Sequence, residues 1–148
     1  MYTETKASRD SFPLPNRSLR GSPPHNVLLV DDDPFVLDML NDMLRDYGVR
    51  GASQARGGKS ALDALSKMAT PPELVMCDLN MPGGDGFQFM EELGARGFGG
   101  GIVLMSGMDM RTMHSATLMA RFHRLRVIGS LCKPISQSAL GAVLANLA

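Results

Sequence analysis

Residues 26–37 read NVLLVDDDPFVL. Four apolar residues, Val27 to Val30, run into three adjacent carboxylates, Asp31, Asp32 and Asp33, and Pro34 follows. A short unbroken apolar run is the signature of a strand covered on both faces. Asp33 followed by Pro34 has the form of a helix N-cap and first helical residue. The next stretch, FVLDMLNDMLRDYG, places Val36, Leu37, Leu40, Met43, Leu44 and Tyr47 on one helical stripe, with Gly48 to end it. Three neighbouring negative charges at the end of a buried strand repel one another. A low-dielectric surrounding enlarges both that repulsion and the desolvation cost. Something has to offset them.

The same unit recurs along the chain. VRGASQA is a weak strand candidate, and GKSALDALSKMAT sets Leu62, Leu65 and Met68 at helical spacing before Pro71 and Pro72 close it. ELVMCD is a second buried strand that ends in a carboxylate, Asp78, and the loop LNMPGGDG after it is dense in turn residues. FQFMEELGARGF reads as a helix, with Gly99 to Gly101 as a break; GIVLMS is a strand ending at Ser106; DMRTMHSATLMARFHRL reads as a long helix. RVIGSLC is a last strand, ending just before Lys133 and Pro134, and ISQSALGAVLANLA is a final helix. Five strand–helix repeats without a hairpin signal predict an α/β fold, with one parallel sheet and helices on both faces.

The 148 residues fit one domain, and 44% hydrophobic with 20% charged residues is an ordinary globular balance. A formal net charge of zero disfavours a general nucleic-acid binder. No apolar run approaches the roughly 18 to 20 residues of a membrane span. Residues 1–25 are rich in Ser, Pro and Arg and poor in apolar residues, which predicts a disordered tail ahead of a domain over residues 26–148. The tail lacks an apolar signal core, so the expected location is cytoplasmic. Cys77 and Cys132 lie in apolar stretches and read as buried free thiols.

In a parallel sheet the strand carboxyl ends share one edge, where ligands bind. The predicted strands deliver Asp31 to Asp33, Asp78, Ser106 and Lys133 to that edge. Acids gathered with no His or Cys beside them suit a hard cation, Mg²⁺ best of all. Singly, Asp33 reads as a helix cap, Ser106 as a strand-end hydroxyl and Lys133 as a surface charge; it is the joint set that points to a site. Asp85 and Gly86 read as the loop turn and the start of the next helix. His114 and His123 lie in the predicted long helix with no ligand partner and read as solvated or packing residues. The methionines Met105, Met108, Met110, Met113 and Met119 fit core packing, and also an adaptable docking face.

VLLVDDDP, LVMCDLNMPGGDG, IVLMSG and LCKP, in this order and spacing, resemble the receiver domain of two-component response regulators, and the resemblance covers residues 26–148. It implies the flavodoxin-like (βα)5 fold with strand order 2-1-3-4-5, an arrangement for which chemotaxis receivers are a standing example. It implies that Asp78 is the phospho-acceptor, taking a phosphoryl group from a histidine kinase or a phosphotransfer protein. It implies that Asp31, Asp32, Asp78 and the backbone carbonyl of Asn80 serve Mg²⁺, Asp31 largely through water. Lys133 would pair with Asp78 and then with the phosphoryl oxygens, Ser106 would move toward the phosphate, and Lys133–Pro134 would be cis. A downstream protein would dock on the fourth helix, fifth strand and fifth helix, a homodimer being possible, with no nucleic acid or membrane as partner. Such a domain is no enzyme beyond its own phosphorylation and dephosphorylation.

Two departures stand out. Many receivers carry Tyr or Phe three residues before the lysine; here the residue is Ser130. The stretch from Ser106 to Lys133 is longer than in compact receivers and is similar to receivers that precede EAL-type cyclic-di-GMP phosphodiesterase domains. A stand-alone receiver is the expectation, with a fragment of a larger EAL-type regulator or a non-phosphorylated adaptor as alternatives. A Mg²⁺-dependent aspartyl-phosphate phosphohydrolase fits less well, because Pro34 and Phe35 follow the first acids and no cap domain is present. The residues two beyond Asp78 and Ser106 are Asn80 and Met108, positions that influence dephosphorylation in the family.

Overall fold

A computed structural model describes residues 23–107 and 110–147. The expected tail lies outside them up to residue 22, as does Met108. Strands and helices alternate along the described chain: β1 (Val27–Val30), α1 (Pro34–Arg45), β2 (Ala52–Ala55), α2 (Gly58–Lys67), β3 (Leu74–Asp78), α3 (Asp85–Ala95), β4 (Gly101–Ser106), α4 (Met110–Phe122), β5 (Arg126–Cys132) and α5 (Gln137–Leu144). A single 3₁₀ turn over Pro82–Gly84 leads into α3. Every strand pairing is parallel, and the sheet order is β2-β1-β3-β4-β5. This is the flavodoxin-like order expected from the sequence. It puts the switch point between β1 and β3, where the chain reverses its direction across the sheet.

The unbroken apolar runs have a direct cause in this architecture. Val27, Leu29, Leu74, Met76, Val103 and Met105 point to the face covered by α1 and α5, against Leu37, Leu40, Leu44 and Leu140. Their neighbours Leu28, Val30, Val75, Cys77, Ile102 and Leu104 point to the other face, against Phe89, Met90 and Leu93 of α3 and Met113, Ala116 and Ala120 of α4. Both faces are dry, so the central strands are apolar up to the polar residues at their carboxyl ends. Each fully buried aliphatic side chain contributes roughly 1.5–3 kcal/mol.

Helix ends follow the local chemistry. Asp33 caps α1, its side chain accepting from Phe35 N at 2.9 Å, with Pro34 as the first helical residue. Gly48, at φ 89°, takes the left-handed turn that ends the segment. Tyr47 Oη donates to the Gln137 carbonyl at 2.7 Å and Gln137 Nε2 donates to the Met43 carbonyl at 2.9 Å, tying α1 to α5. Gly57 offers α2 no side-chain cap. Asp85, at the start of α3, supplies one from outside, its Oδ2 accepting from Gly58 N at 2.6 Å.

Two expectations are corrected, those on Cys132 and His123, and one is narrowed. Cys132 is exposed, because β5 is an edge strand and this position ends it outside the core; Cys77 is buried as expected. The weak second strand is confined to Ala52–Ala55. His123 lies just beyond α4, in the turn where Arg124 adopts φ 63°. Of the methionines, Met105 and Met113 are core residues, whereas Met110 is 76% exposed.

Gly86 positions α3 against the end of β3. A Cβ there would stand 2.6 Å from the backbone oxygen of Asp78, closer than atoms approach. Gly86→Ala therefore forces the start of α3 away from the strand. Urea unfolding should show a loss of about 1–3 kcal/mol.

Candidate acidic site at the sheet edge

Asp31 follows β1 directly and Asp78 ends β3, the two strands that flank the switch point. Both carboxylates are buried, Asp31 completely, whereas Asp32 is exposed. One carboxylate oxygen from each of Asp31, Asp32 and Asp78 lies within 4.8 Å of the others. Lys133, from the loop after β5, brings Nζ to 2.6 Å from Asp31 Oδ2 and 3.4 Å from Asp78 Oδ1. Its backbone is held over the sheet edge by Lys133 N donating to the Ser106 carbonyl at 2.9 Å, and the Lys133–Pro134 bond is cis. Ser106, buried at the end of β4, completes the set.

Lys133 was expected to pair with Asp78, and it does, but its shorter contact is to Asp31. Asp31 is wholly out of water, so its charge depends most on the ammonium. Asp31 Oδ1 also accepts from Asp33 N at 2.9 Å. Even so, burial raises its carboxyl above the ordinary range, and the negative charge of Asp78 adds to the rise; Lys133 and the Asp33 amide oppose it. For Lys133 the balance goes the other way. Burial pulls its pKa down, but the hydrogen bond to Asp31 and the two carboxylate charges outweigh burial and hold the ammonium above its usual value. Cys77, behind Asp78, is kept protonated by burial and by the neighbouring acids.

The loop after β3 carries three hydrogen bonds that the sequence did not reveal. Asn80 N donates to Asp78 Oδ1 at 3.1 Å. Asn80 Oδ1 accepts from Ser106 Oγ at 2.9 Å and from Gly107 N at 3.2 Å. Asn80 was expected at the site for its backbone carbonyl alone. Only the pairing of β3 with β4 brings its side chain to Ser106, so local sequence gave no signal for it.

The donor set suits a hard divalent cation: three carboxylates within reach of one point, one of them open to solvent, and no sulfur or imidazole among them. Asp31, Asp32, Asp78, Ser106 and Lys133 are thus brought together as the sequence predicted. Asp33 serves α1 as its cap, as its sequence context predicted.

The model of the response regulator receiver domain matches residues 27–145. The chain belongs to the response regulator receiver domain family. Among relatives of this receiver is the transcriptional regulatory protein AruR of Pseudomonas aeruginosa, 36% identical over 83 residues, which are 55% of this chain and 34% of that protein. The cyclic di-GMP phosphodiesterase RocR of the same organism is 28% identical over 119 residues, 80% of this chain and 30% of RocR. The receiver thus spans about a third of the length of these two relatives. RocR is a distant counterpart to the expected likeness to receivers that precede phosphodiesterase domains. Among solved structures, the CheX–CheY–BeF3–Mg complex from Borrelia burgdorferi contains the same fold, with TM-score 0.71 and 18% identity over 86% of this chain and 93% of that one.

The raised pKa of Asp31 has a definite sign in stability. The folded state holds its proton above pH 3.8, so stability present below that pH is lost as pH rises through the folded-state value. Asp31→Asn removes the buried charge and its repulsion from Asp78, and Lys133 keeps Asp78 as partner. In EDTA at pH 7 the variant should melt above the wild type, by on the order of 1 kcal/mol. Thermal melts across pH 4 to 8 should show the advantage shrinking toward pH 4.

Proposed function

We propose that this receiver accepts a phosphoryl group on Asp78 and thereby switches its binding to a protein partner. The observation that carries this reading is the convergence of Asp31, Asp32, Asp78, Ser106 and Lys133 at the switch point of the sheet.

Asp78 is the nucleophile. A carboxylate lone pair forms the new O–P bond. The N–P electron pair of the donor phosphohistidine stays on the imidazole, which takes a proton from solvent. Lys133, 3.4 Å from Asp78 Oδ1 and held charged, stands where it can neutralise the oxygens of the incoming group. Asp31, Asp32, Asp78 and the Asn80 carbonyl would hold Mg²⁺, Asp31 largely through water. When bound, that ion supplies positive charge to the phosphoryl oxygens and offsets repulsion among the acids. The hydroxyl of Ser106 then turns to the phosphoryl group, drawing the end of β4 and the start of α4 with it.

The donor is a sensor histidine kinase or a phosphotransfer protein, and the responding surface is the face formed by α4, β5 and α5. Ser130 is exposed on β5, paired with Leu104, and offers no ring to turn inward. The readout therefore rests on Ser106 and the segment after it. The domain has no external substrate beyond its phosphodonor, and the proposed location is the cytoplasm. No helix of the described residues is long and apolar enough to cross a membrane.

Intact-protein mass spectrometry after incubation with Mg²⁺ and acetyl phosphate tests the chemistry. The wild type should gain one phosphoryl group, Asp78→Asn none, and Lys133→Ala should react slower by roughly 10- to 100-fold. A wild type that binds Mg²⁺ yet gains no adduct would support a non-phosphorylated adaptor instead.

A further inference from the structure

The hydroxyl of Ser106 carries one proton, and in this structure that proton is given to the side chain of Asn80. The acceptor atom is fixed by its second partner. Gly107 N can only donate, so the amide group of Asn80 must turn its oxygen toward it, and Ser106 Oγ meets the same oxygen. Asn80 also donates its backbone N–H to Asp78 Oδ1. One residue thus holds the end of β3 by its main chain and the end of β4 by its side chain. If Ser106 donates to a phosphoryl oxygen on Asp78, it gives up Asn80.

We propose that Asn80 is a positioning residue that competes with the phosphoryl group for the Ser106 proton and so sets the bias of the switch toward the unphosphorylated arrangement. The inference rests on the receiver reading above and adds a determinant to it. A bond present in one state and lost in the other shifts the equilibrium between them by its own net free energy. For a neutral, part-buried hydroxyl-to-amide bond that net value corresponds to about a fivefold change in an equilibrium constant. The Gly107 contact adds leverage, because releasing Asn80 frees the backbone that leads from β4 toward α4.

The test is a double-mutant cycle on the affinity for beryllofluoride, a mimic of the phosphoryl group, in Mg²⁺. Asn80→Ala, or Asn80→Ser if the alanine variant does not fold, should bind the mimic about fivefold more tightly than the wild type. In the Ser106→Ala background the same change should have no effect, since the contested proton is gone. Equal effects of Asn80→Ala in both backgrounds, or weaker binding of the mimic, would overturn the competition while leaving the receiver reading intact. A wild type that takes up neither beryllofluoride nor a phosphoryl group removes the receiver reading and this proposal together.

Discussion

Three carboxylates face one ammonium at the edge of the sheet, and the arrangement of the surrounding loops follows from that imbalance. β5 lies three strands away from β1, roughly 14 Å at normal strand spacing. A lysine side chain alone does not bridge that gap. The chain leaves β5 still in register with β4, Lys133 N donating to the Ser106 carbonyl. The position of Ser106 is thereby coupled to the position of the ammonium. The two residues proposed to serve an incoming phosphoryl group are thus already linked by a backbone hydrogen bond.

The two buried acids differ in their dependence on that lysine. Asp31 is completely buried and takes the short contact. Asp78 has the longer contact and the Asn80 amide. Its second oxygen is not committed to Lys133, which suits a nucleophile better than a closely paired carboxylate. The exposed Asp32 gives the cluster its opening to water.

Much of this was legible in the sequence, for a physical reason. Strands covered on both faces must read as continuous apolar runs, so VLLV, LVMC and IVLM announced themselves, and the polar residue at the end of each had to fall on the shared edge. β2 was faint because ASQA is only half buried at an edge of the sheet. Cys132 was misplaced because apolar neighbours in sequence say nothing of which strand will lie at the other edge. The shorter contact of Lys133 to Asp31 was hidden too, because it depends on relative burial. The roles of the Asn80 and Asp85 side chains were invisible for a related reason. Each satisfies a partner 26 or 27 residues away, and only the assembled sheet brings the pairs together.

Those two side chains fasten the same loop, LNMPGGDG, on opposite sides. Toward α2 the fastening is a carboxylate accepting from a helix N-terminal amide at 2.6 Å, a charge-assisted bond in the favourable field of the helix end. Toward β4 it is a neutral amide oxygen shared between a hydroxyl and one backbone N–H, at 2.9 and 3.2 Å. Neutral bonds are roughly half as strong as charge-assisted ones. The β4 fastening also uses the one hydroxyl that a phosphoryl group on Asp78 would claim, whereas Asp85 has no such competitor. A change of charge at Asp78 therefore meets a weak, contested restraint on the side of β4 and α4 and a strong, uncontested one on the side of α2. Under the proposed function the asymmetry would direct the response toward α4, and it would do so without an aromatic residue on β5.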